Sequence, residues 1–192
     1  PVMTRKRTEP TPTQRKVNLD RCLVVGIASS ALFDLTESGA YFDEHGEAAY
    51  RDYQDERIEE PLAPGVAFPF VKRLLGLNNL DDEDALVEVI VLSKNDPTTG
   101  LRVMRSLEHH KLPITRAVFT QGRAPYDYIE ALGMSLFLSA ERSDVDAATL
   151  RGLPAGHVLP STAAYDDADE AVRVAFDFDG VLVDSEPLHY RS

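Results

Sequence analysis

Residues 87–107, VEVIVLSKNDPTTGLRVMRSL, decide how the fold is read. The run VEVIVL is apolar on both faces of an extended chain, which suits a strand covered from both sides. Ser93, Lys94 and Asn95 end it, and Asp96 and Pro97 mark a helix start, since proline is tolerated where a helix has no N–H partner to lose. The same unit recurs outward along the chain. CLVVGIA (22–28), ITRAVF (114–119), SLFLSA (135–140), GHVLP (156–160) and VRVAF (172–176) read as further strands. Helical stretches over 44–57, 65–77, 100–110, 126–132 and 144–150 lie between them. Strand alternating with helix predicts an α/β, doubly wound, mostly parallel sheet with helices on both faces.

Length and composition bound the rest. With 192 residues the chain exceeds one typical domain without filling two. The expected division is a flexible, Pro/Thr-rich basic tail over 1–19, an α/β domain over 20–165, and a further strand and acidic motif over 170–192. A hydrophobic content of 43% supplies a core and excludes a disordered chain. No apolar run is long enough to span a membrane or to act as a leader, so a cytoplasmic protein with no membrane partner is expected. Acids outnumber bases by 32 to 20, giving a net charge of -12 that opposes nucleic-acid binding. Cys22 is the sole cysteine and cannot form an internal disulfide.

The segment over 41–64, rich in charge and aromatics, follows the first strand. An insertion there stands at the carboxyl ends of the strands, where ligands bind in doubly wound folds. It reads either as a lid or as a solvated amphipathic helix.

The sharpest chemical feature is VAFDFDGV, in which Asp177 and Asp179 follow an apolar stretch two residues apart. Two such carboxylates can project into one crevice, and their oxygens suit Mg²⁺. One can attack phosphorus while the other exchanges a proton with the leaving or attacking oxygen. The alternative is a pair of turn aspartates capping the segment 186–192.

VAFDFDGVLVDSE resembles the first motif of the haloacid dehalogenase-like phosphohydrolases. The wider stretches GIASSALFDL (26–35), PGVAFPFVKRLL (64–75), VIVLSKNDPTTGLRVMRSL (89–107), AVFTQGRAPYDYIEAL (117–132) and LFLSAERSDVDAA (136–148) are similar to the AMP-preferring cytosolic 5'-nucleotidase I family. The resemblance implies Mg²⁺-dependent hydrolysis of a nucleoside 5'-monophosphate. Asp177 would be the nucleophile, Asp179 the general acid/base, and the metal would be held by the Asp177 carboxylate and the Asp179 main-chain carbonyl. In that family the DxD strand opens a catalytic half that also supplies a Ser/Thr, a Lys and further acids. Ser192 follows Asp177 by 15 residues, so the chain looks like a member cut short and inactive alone.

The first half echoes a hydrolase domain whose acids are replaced. Ala28, Ser29 and Ser30 stand where a nucleophile would follow the first strand, and a hydroxyl with no visible base cannot replace a carboxylate. Ser93, Lys94 and Asn95 could hold a phosphate at the start of the following helix, with Arg123 as a forked partner. Against this, Asp96 could merely cap that helix and Arg123 could be a surface turn residue. The competing function is therefore a non-catalytic nucleotide-binding or assembly module. A homo-oligomer is compatible with an unpaired strand over 172–176, because a bare edge invites association.

Overall fold

A computed structural model describes residues 17–18, 21–81, 83–95, 97–160 and 171–175. Among these, five strands form one parallel sheet: β1 (Leu23–Ala28), β2 (Val87–Ser93), β3 (Arg116–Phe119), β4 (Leu136–Ser139) and β5 (Ala155–His157). Their order is β3-β2-β1-β4-β5, with Val25 beside Val89 on one flank and Leu136 on the other. The chain winds outward from β1 through β2 to β3, then crosses β1 to lay down β4 and β5. Right-handed crossovers place the connections of the two halves on opposite faces. The doubly wound architecture read from the sequence is the one observed.

Burial explains why these runs became strands. Val24, Val25, Ile27, Ile90, Val91, Leu92 and Phe137 are almost wholly removed from solvent, so alternate residues of β1 and β2 are buried on both faces. Each such side chain contributes about 1.5–3 kcal/mol relative to leaving it exposed. The helices are α1 (Ser29–Leu32), α2 (Thr36–Glu56), α3 (Phe68–Gly76), α4 (Pro97–His109) and α5 (Arg142–Thr149), with 3-10 turns at Leu77–Leu80 and Pro125–Tyr128. On α3 the residues Phe68, Val71, Leu74 and Leu75 are buried at helical spacing.

Three expectations are corrected. The helix expected over 44–57 begins at Thr36, because the Asp34 carboxylate accepts the Thr36 N–H at 3.0 Å and its hydroxyl at 2.6 Å. It is also broken at Gly46 (φ 79°, ψ 179°), a conformation essentially restricted to glycine. The stretch 126–132 forms only a 3-10 turn at Pro125–Tyr128 followed by turns. So few residues before Gly133 cannot offset helix nucleation. Residues 172–175 of the strand expected over 172–176 have no regular structure, and Val174 is 57% exposed. An apolar run becomes a strand only against a neighbour that accepts its backbone hydrogen bonds, and neither edge strand, β3 nor β5, pairs with it. Position 176, the tail over 1–16 and the segment 176–192 lie outside the described residues.

Candidate functional site

The order of the strands reverses beside β1, and a crevice is expected there at the carboxyl ends of the strands. At the end of β1 the chain turns directly into α1, so Ser29 and Ser30 face the ends of the neighbouring strands. Ser93, 2% exposed, closes β2. The Ser29 hydroxyl donates to Ser93 Oγ at 3.0 Å, and the Asn95 N–H donates to the same oxygen at 3.2 Å. After β3, Gln121 adopts a left-handed φ of 51°. Its N–H reaches the Asn95 carbonyl at 3.2 Å, and the Gly122 N–H reaches the Lys94 carbonyl at 2.6 Å. These bonds tie the loops after β2 and β3 into one floor.

Two further elements complete a cleft of about 820 Å³. Asp144, 7% exposed on the first turn of α5, receives the Lys94 ammonium at 2.7 Å. From above, α2 contributes Gly39, Phe42, Asp43, Glu47, Tyr50 and Arg51 from both sides of its break at Gly46. The insertion after β1 is thus a helix and a roof at once. It is anchored by Arg102 of α4, buried, whose guanidinium donates to Gln54 Oε1 at 3.2 Å and to the Glu60 carbonyl at 2.9 Å.

The cleft can bind a small molecule, and neither the Ser29 nor the Ser93 hydroxyl is hydrogen-bonded to a base among the described residues. Ser29 and Ser93 are bonded to each other, and no histidine among the described residues lines the cleft. A serine attacks only when an adjacent base takes its proton. Among the described residues, no group of three or more His, Cys, Asp or Glu could hold a metal ion. Of the residues expected to bind substrate, Lys94 and Asn95 line the cleft, and Ser93 is buried beside them at the end of β2. Arg123 is exposed and does not line the cleft. Asp177 and Asp179 lie outside the described residues.

The side chains that sequence reasoning missed are the roof residues Phe42, Asp43, Glu47 and Arg51 and the pairing of Asp144 with Lys94. The charged, aromatic insertion signalled the first. Nothing local signalled the second. Away from the cleft, Asp81 Oδ1 accepts the N–H groups of Glu83 and Asp84 in a turn, and His110 packs against Phe33 and Phe68. Cys22 packs against the core, and burial pushes its thiol above the ordinary cysteine range.

Strand order and roofed crevice together define a Rossmann-like α/β domain with a ligand-sized cleft. A profile of the 5'-nucleotidase family matches residues 15–189, and the chain belongs to that family. Cytosolic 5'-nucleotidase 1B of Homo sapiens is 29% identical over 173 residues, which is 88% of this chain and 28% of the human protein. The chain therefore spans little more than a quarter of that relative's length. No helix among the described residues is long and apolar enough to cross a membrane.

Proposed function

We propose that this chain carries the aspartate pair of a cytoplasmic, Mg²⁺-dependent 5'-nucleotidase that hydrolyses AMP-like nucleoside 5'-monophosphates to nucleoside and phosphate. The observation that carries this reading is the family match over 15–189, which takes in both Asp177 and Asp179. The Asp177 carboxylate attacks phosphorus, the P–O5' bond breaks, and Asp179 gives its proton to the departing 5' oxygen. Water then attacks the aspartyl-phosphate while Asp179 takes a proton back, releasing phosphate and restoring both acids. A Mg²⁺ ion held by the Asp177 carboxylate and the Asp179 carbonyl would neutralise phosphoryl oxygens, and these hard oxygen donors suit it.

The test is phosphate release from AMP by the full-length natural polypeptide that contains these residues. Activity should require Mg²⁺, vanish in EDTA, and fall at least about a thousandfold in Asp177→Asn, as expected when a nucleophile is removed. Full activity in Asp177→Asn would overturn the assignment. The second reading, a non-catalytic binding module, is favoured for residues 20–165 by one observation: the buried hydroxyls of Ser29 and Ser93 bond to each other rather than to a base. The two readings are compatible if chemistry and the cleft occupy different parts of the polypeptide.

A further inference from the structure

The charges among the described residues that line the cleft beneath α2 point away from a phosphate. Six charged residues among the described ones line it: Lys94 and Arg51 against Asp43, Glu47, Glu141 and Asp144, two more acids than bases. Both cations are already neutralised. Lys94 is held by Asp144 at 2.7 Å, and Arg51 by Glu47 at 2.7 Å. Asp43 and Glu141 have no cationic partner among the described residues. The loop N–H groups that could cradle an anion are also occupied: Asn95 by Ser93 Oγ, Gln121 by the Asn95 carbonyl, Gly122 by the Lys94 carbonyl. An entering phosphate dianion would have to break an ion pair and then face unpaired carboxylates.

The remaining lining suits an uncharged ligand. Phe42 is 44% exposed and stands edge-on to Tyr50, ring centroids 5.3 Å apart, so it offers an aromatic surface to the cavity. Ser30, Asn95 and Gln121 add polar groups to the lining. The volume lies in the range of small-molecule pockets.

We propose that this cleft is a second ligand site that binds an uncharged ring-and-hydroxyl molecule of the nucleoside type and discriminates against its phosphorylated form. Its identification with the nucleoside released by the nucleotidase rests on the function proposed above; the preference for an uncharged ligand does not.

Calorimetric titration of the full chain with adenosine, AMP and inorganic phosphate, in EDTA to prevent turnover, tests it. Adenosine should bind at least about tenfold more tightly than AMP, because the phosphate meets unpaired acids. Inorganic phosphate should give no heat of binding. Phe42→Ala should weaken adenosine about fivefold or more, the low end of a base–aromatic stacking loss. The double variant Asp43→Asn, Glu141→Gln should narrow the gap between adenosine and AMP by about threefold or more, since it removes the unpaired charges. AMP binding as tightly as adenosine, no adenosine binding, or adenosine binding indifferent to Phe42→Ala would each overturn the proposal. Adenosine binding sensitive to Phe42 in a full-length protein that releases no phosphate from AMP would sustain this site and sink the nucleotidase reading instead.

Discussion

Replacing Gly65 by alanine tests the seam that fixes the segment entering α3 against the exit of β1. Three backbone bonds form that seam: Asp34 N–H to the Ala63 carbonyl, Gly65 N–H to the Leu32 carbonyl and Ala67 N–H to the Ala31 carbonyl, each 2.9 Å. A Cβ on Gly65 would stand 2.7 Å from the Ala31 carbonyl oxygen and 2.8 Å from both the carbonyl carbon and the nitrogen of Phe33. All three neighbours are backbone, so no side chain can swing aside. Restoring ordinary contact at 3.4 Å requires the strands of the seam to part by about 0.7 Å. That stretches 2.9 Å bonds beyond hydrogen-bonding distance. Each is worth about 1 kcal/mol net, so the seam loses about 3 kcal/mol. The alanine returns about 0.4–1 kcal/mol by restricting the unfolded chain. The net cost is about 2 kcal/mol, a large share of a typical domain's stability. Gly76→Ala is the matched control: Gly76 has helical φ and ψ and nothing within 4 Å of a built Cβ, so the change should stabilise by up to about 1 kcal/mol. With no tryptophan in the chain, urea unfolding followed by far-UV circular dichroism is the suitable assay. Gly65→Ala within about 0.5 kcal/mol of the native protein, the ordinary surface range, would refute the reasoning.

Two further substitutions probe buried charge. Glu88 pairs with Arg116 at 3.0 Å, yet burial outweighs the arginine and lifts its carboxyl above the ordinary glutamate range. A raised folded value means that stability is fully present below the unfolded pKa and is lost as pH rises through the folded one. Urea midpoints should therefore decline across that window in the native protein and flatten in Glu88→Gln; an unchanged slope would contradict the assignment. Arg102→Met keeps the apolar stem but deprives Gln54 Oε1 and the Glu60 carbonyl of their donor. It should cost about 2–3 kcal/mol in the same assay, as for hydrogen bonds to a charged group, and a loss under 0.5 kcal/mol would show that the guanidinium does not anchor the roof.

The sheet was legible because its strands are short apolar runs bounded by polar turns, and the expected 22–28 and 135–140 overlap the observed Leu23–Ala28 and Leu136–Ser139 closely. What local pattern could not supply is whether a neighbour exists. VRVAF reads as apolar as ITRAVF, yet Arg116–Phe119 pairs with β2 while residues 171–175 pair with nothing described. Arg102 escaped for the same reason. On a helix it reads as a solvated residue, and its partners at 54 and 60 stand 48 and 42 positions earlier in the chain.

The cleft shows where motif spacing stops being informative about chemistry. Spacing placed Ser93, Lys94 and Asn95 at the end of a buried strand, which is a statement about backbone and proved right. Whether the lysine is a free cation depends on a residue that arrives from another strand–helix unit, 50 positions later in the chain. With Asp144 at 2.7 Å the ammonium is already satisfied, and a position that invites phosphate in isolation instead closes a wall. The same logic applies to Ser93, whose oxygen takes hydrogens from Ser29 and Asn95. A hydrolase-like frame can thus keep its strand order and crevice while its polar groups turn to one another.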